Sequence, residues 1–212
     1  IFSKRIPRQP TPPMHEIPAR NEALSPPADC PACSAHAVVK SFHIAPHNRT
    51  HYTLNLCRRC GLEFWSPLEV DATIYSDSGF GAYKDYHTGR RPFPRWAEPL
   101  FTSLPPLPFH ALDIGCGDGS VLERLKNLGA SVRGIDMDEQ SVRIAASRCG
   151  AQNCTVATLE QFSRTRSPSD PLFGLICLFE VLEHQTDPKG FLQGAAELAA
   201  EGATIVGSVP NR

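Results

Sequence analysis

The stretch Ala111-Leu112-Asp113-Ile114-Gly115-Cys116-Gly117-Asp118-Gly119-Ser120 decides the fold. Ala111, Leu112 and Ile114 read as a short buried strand, and the amphipathic run from Val121 to Leu128 reads as a helix that Ser120 caps. Between strand and helix lie three closely spaced glycines. Glycine accepts positive φ and leaves no side chain between backbone and ligand. The helix start then aims unbonded N–H groups at whatever occupies the turn. A G-x-G-x-G run alone is a weak signal. It gains weight from Asp113 inside the strand, from Asp136 at the end of the next strand, and from a later strand that runs into Glu180-Val181-Leu182-Glu183-His184.

Outward from this stretch the pattern alternates. Strands are predicted at 111–114, 132–135, 155–157, 175–179 and 204–209. Helices are predicted at 121–128, 139–149, near Glu160, and from Pro188 to Ala200 with Asp187 as cap. Gly129 and Gly150 follow the first two helices as C-terminal stops, and 163–171 reads as a polar loop. Alternation of this kind implies parallel pairing with right-handed crossovers. The predicted class is therefore α/β: a doubly wound, Rossmann-like, mostly parallel sheet. Ligands of such sheets bind beyond the carboxyl ends of the strands, where the strand order switches, and the motifs above all end strands there. A dinucleotide-binding domain is the rival reading. Its G-x-G-x-x-G fingerprint places the third glycine one residue later, where this chain has Ser120.

Residues 112–119, the run Gly134-Ile135-Asp136-Met137-Asp138 and residues 179–184 resemble the successive motifs of class I S-adenosylmethionine-dependent methyltransferases, over roughly Pro92 to Arg212. The resemblance implies S-adenosylmethionine as cofactor and assigns it a set of residues. Gly115, Cys116, Gly117, Asp118 and Gly119 form the loop that approaches its methionine part. Asp113 holds either the loop or the cofactor ammonium. Asp136 accepts the ribose hydroxyls, with a helix cap as its structural alternative. Met137 packs on the adenine, Thr158 and Leu159 border the adenine edge, and Phe179 lies beside the sulfonium. Arg95 stands where related enzymes often carry a basic residue near the cofactor carboxylate; the alternative is an ordinary surface arginine. The implied reaction is direct displacement, in which an acceptor oxygen, nitrogen or carbon attacks the methyl on sulfur. Glu180 and His184 are the candidate catalytic residues, as bases for an oxygen or carbon acceptor.

Glu180, Glu183 and His184 also fall at i, i+3 and i+4, one face of a helix if the chain turns helical there. In ubiquinone-type O-methyltransferases the matching residues are thought to hold a divalent cation, which makes Mg2+ a candidate; capping of the next turn is the alternative. The resemblance points to a small-molecule acceptor, either a sugar or polysaccharide intermediate or a phenol. An rRNA base, or a non-catalytic ribbon-bearing module, are the competing readings. The near-neutral formal charge of −1 weighs against a broad nucleic-acid surface.

The front of the chain has a different chemistry. Cys30-Pro31-Ala32-Cys33 and Cys57-Arg58-Arg59-Cys60-Gly61 give C-x2-C, 23 residues, C-x2-C. Two such pairs aim four thiolates at one ion and predict a closed structural zinc site on Cys30, Cys33, Cys57 and Cys60. Strand-like runs at 37–44 and 51–56 between the pairs suggest a zinc ribbon, with His43, His47 and His51 at its surface. Redox chemistry at a C-x-x-C is the alternative. Cys116, Cys149, Cys154 and Cys177 have no ligand spacing and read as small apolar residues.

The predicted division is a proline-rich basic arm at 1–29, expected to be disordered, a zinc ribbon at 30–66, an aromatic and proline-rich connector at 67–108, and the methyltransferase domain at 109–212. The connector carries Tyr75, Phe80, Tyr83 and Tyr86, and from Cys60-Gly61-Leu62 onward it is similar to a group of bacterial methyltransferases with a zinc-ribbon front end. The resemblance implies that it covers the substrate mouth, and packing of ribbon against catalytic domain is the alternative. No apolar run reaches the roughly 18 residues of a membrane span and no secretory signal is visible, so a cytoplasmic location is expected. Strand five is followed only by Pro210-Asn211-Arg212, and the first residue is Ile1. The expectation is a fragment whose sheet ends in an uncovered strand, lacking the usual C-terminal hairpin.

Overall fold

A computed structural model describes residues 28–44, 50–69, 87, 88, 93, 95–102 and 104–209. The arm up to residue 27, His47, and the connector aromatics Tyr75, Phe80, Tyr83 and Tyr86 lie outside the described residues.

The front carries a small antiparallel sheet, β1 (Val38–Ile44), β2 (His51–Leu56) and β3 (Glu63–Ser66), in that order. The first two strands fall where the sequence places them. The third is an addition: Glu63-Phe64-Trp65-Ser66 pairs with β2 from Leu56↔Glu63 to Thr53↔Ser66. The buried apolar cluster here is small, made of Cys30, Ala37, Cys57 and Phe64.

The second sheet is all parallel. Its strands are β4 (His110–Ile114), β5 (Ser131–Asp136), β6 (Cys154–Val156), β7 (Phe173–Phe179) and β8 (Ala199–Ser208), in the order β6-β5-β4-β7-β8. The chain winds outward from β4 to β6, then crosses back to β7 and winds the other way. The order switches at β4, beside the glycine stretch. The helices are α1 (Ser120–Asn127), α2 (Glu139–Cys149), α3 (Leu159–Thr165) and α4 (Pro188–Glu197). Alternate residues of each central strand feed opposite faces, as period-2 geometry requires. Ala111, Leu175 and Cys177 join Leu122, Leu125, Val142 and Ala145 from α1 and α2. Leu112, Ile114, Ile176 and Leu178 join Leu159 and Ala195 from α3 and α4. Both faces of β4 and β7 are thus covered, which is why their sequence is nearly continuous in apolar residues.

Ser120 begins α1 rather than capping it, because Gly119 holds the cap position, without a side-chain bond. Two boundaries at the end of the sheet differ from expectation by three residues or more. The last helix stops at Glu197 rather than Ala200, and the last strand starts at Ala199 rather than Thr204. Leu198 closes the helix, its carbonyl accepts from the Phe173 N–H at 2.9 Å, and Ala199 pairs with Phe173. Strand pairing overrides the helical propensity of the alanines. The register then shifts between Phe173 and Leu175 on the partner strand. Among the described residues β8 pairs only with β7. No helix among them is long and apolar enough to cross a membrane.

Candidate functional site

The turn from β4 into α1 is built on three residues with positive φ, Gly115 at 75°, Gly117 at 51° and Gly119 at 77°. The Gly115 and Cys116 N–H groups both donate to the Ile135 carbonyl, at 2.8 and 3.0 Å, which binds the turn to the end of β5. A Cβ at Gly115 would overlap the Val181 side chain, and one at Gly119 would lie 2.8 Å from the Cα and Cβ of Ala145 in α2. The glycines therefore do two things: they permit the left-handed turn, and they let it sit flush against Val181 on one side and α2 on the other.

Asp136 joins the two loops. Its Oδ2 accepts the Gly117 N–H at 2.9 Å and its Oδ1 accepts the Asp138 N–H at 2.9 Å. The capping role weighed for it belongs instead to its neighbour: Asp138 accepts from Gln140 and Ser141 at the start of α2. Each Asp136 oxygen keeps a second lone pair. Burial raises the Asp136 carboxyl above its ordinary range, against the pull of the Asp138 and Gly117 N–H groups. Asp113, 3% exposed, is raised well above its ordinary value, first by burial and then by the charges of Asp136, Cys149 and Asp118. The Asp136 carboxylate at the turn opposes an anionic pyrophosphate and favours a cation.

The other predicted cofactor residues divide by direction. Met137 is 57% exposed at the rim beside Asp136. Phe179 ends β7 and packs against the α1–α2 side of the core. Arg95 is exposed, at the start of a 3-10 segment, Arg95–Thr102. Cys116 and Asp118 turn inward. Cys116 is buried, and Asp118 pairs with Arg148 of α2 at 3.1 Å, so these two offer a ligand their backbone only. Thr158 caps α3 through a reciprocal pair with Gln161, and Leu159 is buried in the core.

At the end of β7, Glu180 adopts φ 55°, a left-handed conformation in a residue that has a Cβ. Such strain persists where the surroundings impose it. Here Ser208 does: its carbonyl accepts the Glu180 N–H at 3.0 Å, and its hydroxyl donates to Glu180 Oε1 at 2.6 Å. The 3-10 turn Leu182–His184 follows. Glu183 is raised by burial, and its Oε1 lies 3.9 Å from His184 Nε2. The one-face arrangement of Glu180, Glu183 and His184 does not form. A 3-10 turn entered from a left-handed residue does not stack i with i+3 and i+4, and among the described residues only the four cysteines cluster as potential metal ligands.

Those four cysteine ligand atoms all lie within 4.8 Å of one another, with Cys30–Cys60 at 3.6 Å and Cys33–Cys57 at 3.5 Å between sulfurs. Tetrahedral thiolates at a Zn–S length of about 2.3 Å stand roughly 3.8 Å apart, so the set fits zinc. N–H groups of Cys60 and Arg59 pull the Cys57 thiol down to about 6. Cys60 goes the other way, to about 12: the Leu62 N–H lowers it, but desolvation and the three neighbouring sulfurs raise it more. A dication resolves that crowding. His43 and His51 are exposed and outside the cluster.

Two residues escaped the sequence reading. Ser208 anchors Glu180, and His87 lies 2.7 Å from Asp138 Oδ2 with its side chain 7% exposed, tying the connector to the loop after β5. Burial opposes ionisation of Asp138, but bonds from Ser141 and His87 outweigh it and lower that carboxyl.

A family profile described as "Methyltransferase domain" matches residues 87–212. The chain therefore belongs to the methyltransferases of the class I, S-adenosylmethionine-dependent family. It is 34% identical over 103 residues to a ubiquinone biosynthesis O-methyltransferase of Methylococcus capsulatus, a match covering 48% of this chain and 44% of the relative. It is 34% identical over 105 residues to the enzyme of the same name from Caulobacter, covering 48% and 40%. The chain thus spans less than half the length of these curated relatives. Among solved structures, the plantazolicin methyltransferase BpumL is 20% identical with a TM-score of 0.41, covering 61% of this chain and 47% of that one. The N-methyltransferase NodS of Bradyrhizobium japonicum is 18% identical with a TM-score of 0.41, covering 65% and 66%.

Proposed function

We propose that this protein transfers a methyl group from S-adenosylmethionine to an oxygen of a small, phenol-like acceptor, and that the four-cysteine ribbon is a zinc-bound structural front domain. The observation that carries this reading is the meeting, at the sheet's switch point, of the glycine turn, the Asp136 carboxylate and Glu180. The name shared by the curated relatives supports an oxygen acceptor; a sugar intermediate is the second acceptor class.

Within this reading S-adenosylmethionine supplies an electrophilic methyl on a sulfonium. This chain's residues bind and orient. Gly115 and Gly117 let the backbone close on the methionine end, while Asp136 keeps lone pairs for the ribose hydroxyls. Met137 offers an apolar surface to the adenine, and Arg95 a charge to the cofactor carboxylate. Since the leaving group is neutral, alignment contributes most, on the order of 7–11 kcal/mol. Glu180, held by Ser208, or His184 beside Glu183, takes the proton of the acceptor hydroxyl.

Calorimetry on the full chain tests the cofactor assignment. Saturable binding of S-adenosylmethionine and S-adenosylhomocysteine is expected, and preference for NAD would overturn it. Labelled methyl transfer to a panel of catechols, sugars and RNA then separates the acceptors. Label appearing in RNA alone would replace the small-molecule reading.

A further inference from the structure

The amino-terminal ends of the strands, opposite the glycine turn, surround a cavity of about 680 Å³. That lies within the roughly 300–1,000 Å³ of small-ligand sites. His110 opens β4 there, and Phe173 opens β7. Three permanent cations line it, Lys126, Arg133 and Arg166, against one carboxylate, Asp170.

Arg166 is the most enclosed of the three. Its side chain is 10% exposed. Nη2 donates to the Pro171 carbonyl at 2.6 Å, Nε lies 3.9 Å from Asp170 Oδ2, and the guanidinium sits 4.8 Å from the Phe173 ring centre. Nη1 is buried and has no hydrogen-bond partner. A buried N–H of a cation left without an acceptor is costly. Lys126 and Arg133 are held but not neutralised: Lys126 donates to the Cys149 carbonyl at 3.0 Å, and Arg133 to the Gln152 carbonyl and the Asn153 amide oxygen. These partners are neutral oxygens. The cavity thus has a fixed excess of positive charge and an apolar wall from Phe162 and Phe173.

We propose that this cavity is a second binding site, separate from the methyl-transfer site, for a small organic oxyanion whose phosphate or carboxylate group pairs with the cations Arg133, Lys126 and Arg166. Isothermal titration of the full chain with inorganic phosphate, and separately with succinate, at matched ionic strength tests it and tells the two oxyanion types apart. Saturable binding of one of them is expected. It should weaken roughly tenfold or more in Arg166→Gln, the effect of losing a charge-assisted bond. Arg133→Gln and Lys126→Gln are surface changes that keep the test valid if the Arg166 variant fails to fold, and each should also weaken binding. Lys189→Gln on α4, which removes a charge outside the cavity, should not. Heats no different from those of chloride, or binding indifferent to Arg133→Gln and Lys126→Gln, would overturn the proposal.

Discussion

Asp136 is placed by its partners rather than by its strand. Each of its oxygens holds a backbone N–H, one from the glycine turn and one from the loop before α2. Asp136→Ala removes both anchors together with the acceptor for the ribose. S-adenosylmethionine affinity should fall about 10- to 100-fold, corresponding to ~1.5–3 kcal/mol for bonds to a charged group. Calorimetry on a variant shown by circular dichroism to be folded measures this, and unchanged affinity would take Asp136 out of the site. Asp113 makes a pH prediction. Its folded carboxyl is raised by burial first and by the Asp136 charge next. The stability it contributes is fully present below the unfolded value, about 3.9, and is lost as pH rises through the raised folded value. The melting temperature of the ligand-free protein should therefore decline from about pH 4 upward more steeply than that of Asp113→Asn. Saturating S-adenosylmethionine, a cation, should shrink that difference. Parallel pH profiles for protein and variant would contradict the assignment.

At the scale of elements, the join of turn and helix is the sensitive point. Gly119 combines φ 77° with contact to the Ala145 backbone. Gly119→Ala should cost about 1–3 kcal/mol of stability, from left-handed strain and overpacking, and weaken cofactor binding as the turn lifts off α2. A thermal melt beside a binding isotherm checks both. This join was legible in sequence because its signals are local: glycine spacing, a short apolar strand, a 3.6-residue period. The same holds for the Asp187 cap and for the span of α2, Glu139–Cys149. What sequence left unread depends on distant approach. His87 meets Asp138 across 51 positions with no periodicity to mark it. Ser208 matters only because β8 lies beside β7. β3 was hidden because four residues give too short a pattern to separate from a loop. Asp118 and Cys116 carry the motif's spacing but point into the core, a direction that residue identity does not encode.

The whole molecule has two unequal sources of stability. The parallel sheet buries apolar residues on both faces, among them Leu112, Leu122, Leu125, Leu175 and Ile176. Each contributes about 1.5–3 kcal/mol when fully buried. The ribbon has Ala37 and Phe64 beside its cysteines, far too little to fold three strands. If metal supplies the difference, the two parts should separate on its removal. Treatment with a strong zinc chelator should abolish amide-exchange protection in β1–β3 while β4, β5 and β7 remain protected. Cys57→Ser should reproduce this without chelator. S-adenosylmethionine binding should survive both treatments, because the glycine turn, Asp136 and α2 belong to the other core. Metal analysis of untreated protein should find one zinc per chain. Absence of zinc with β1–β3 still protected would mean that the ribbon folds by another route. Simultaneous loss of protection in both sheets would mean that the two cores are one cooperative unit.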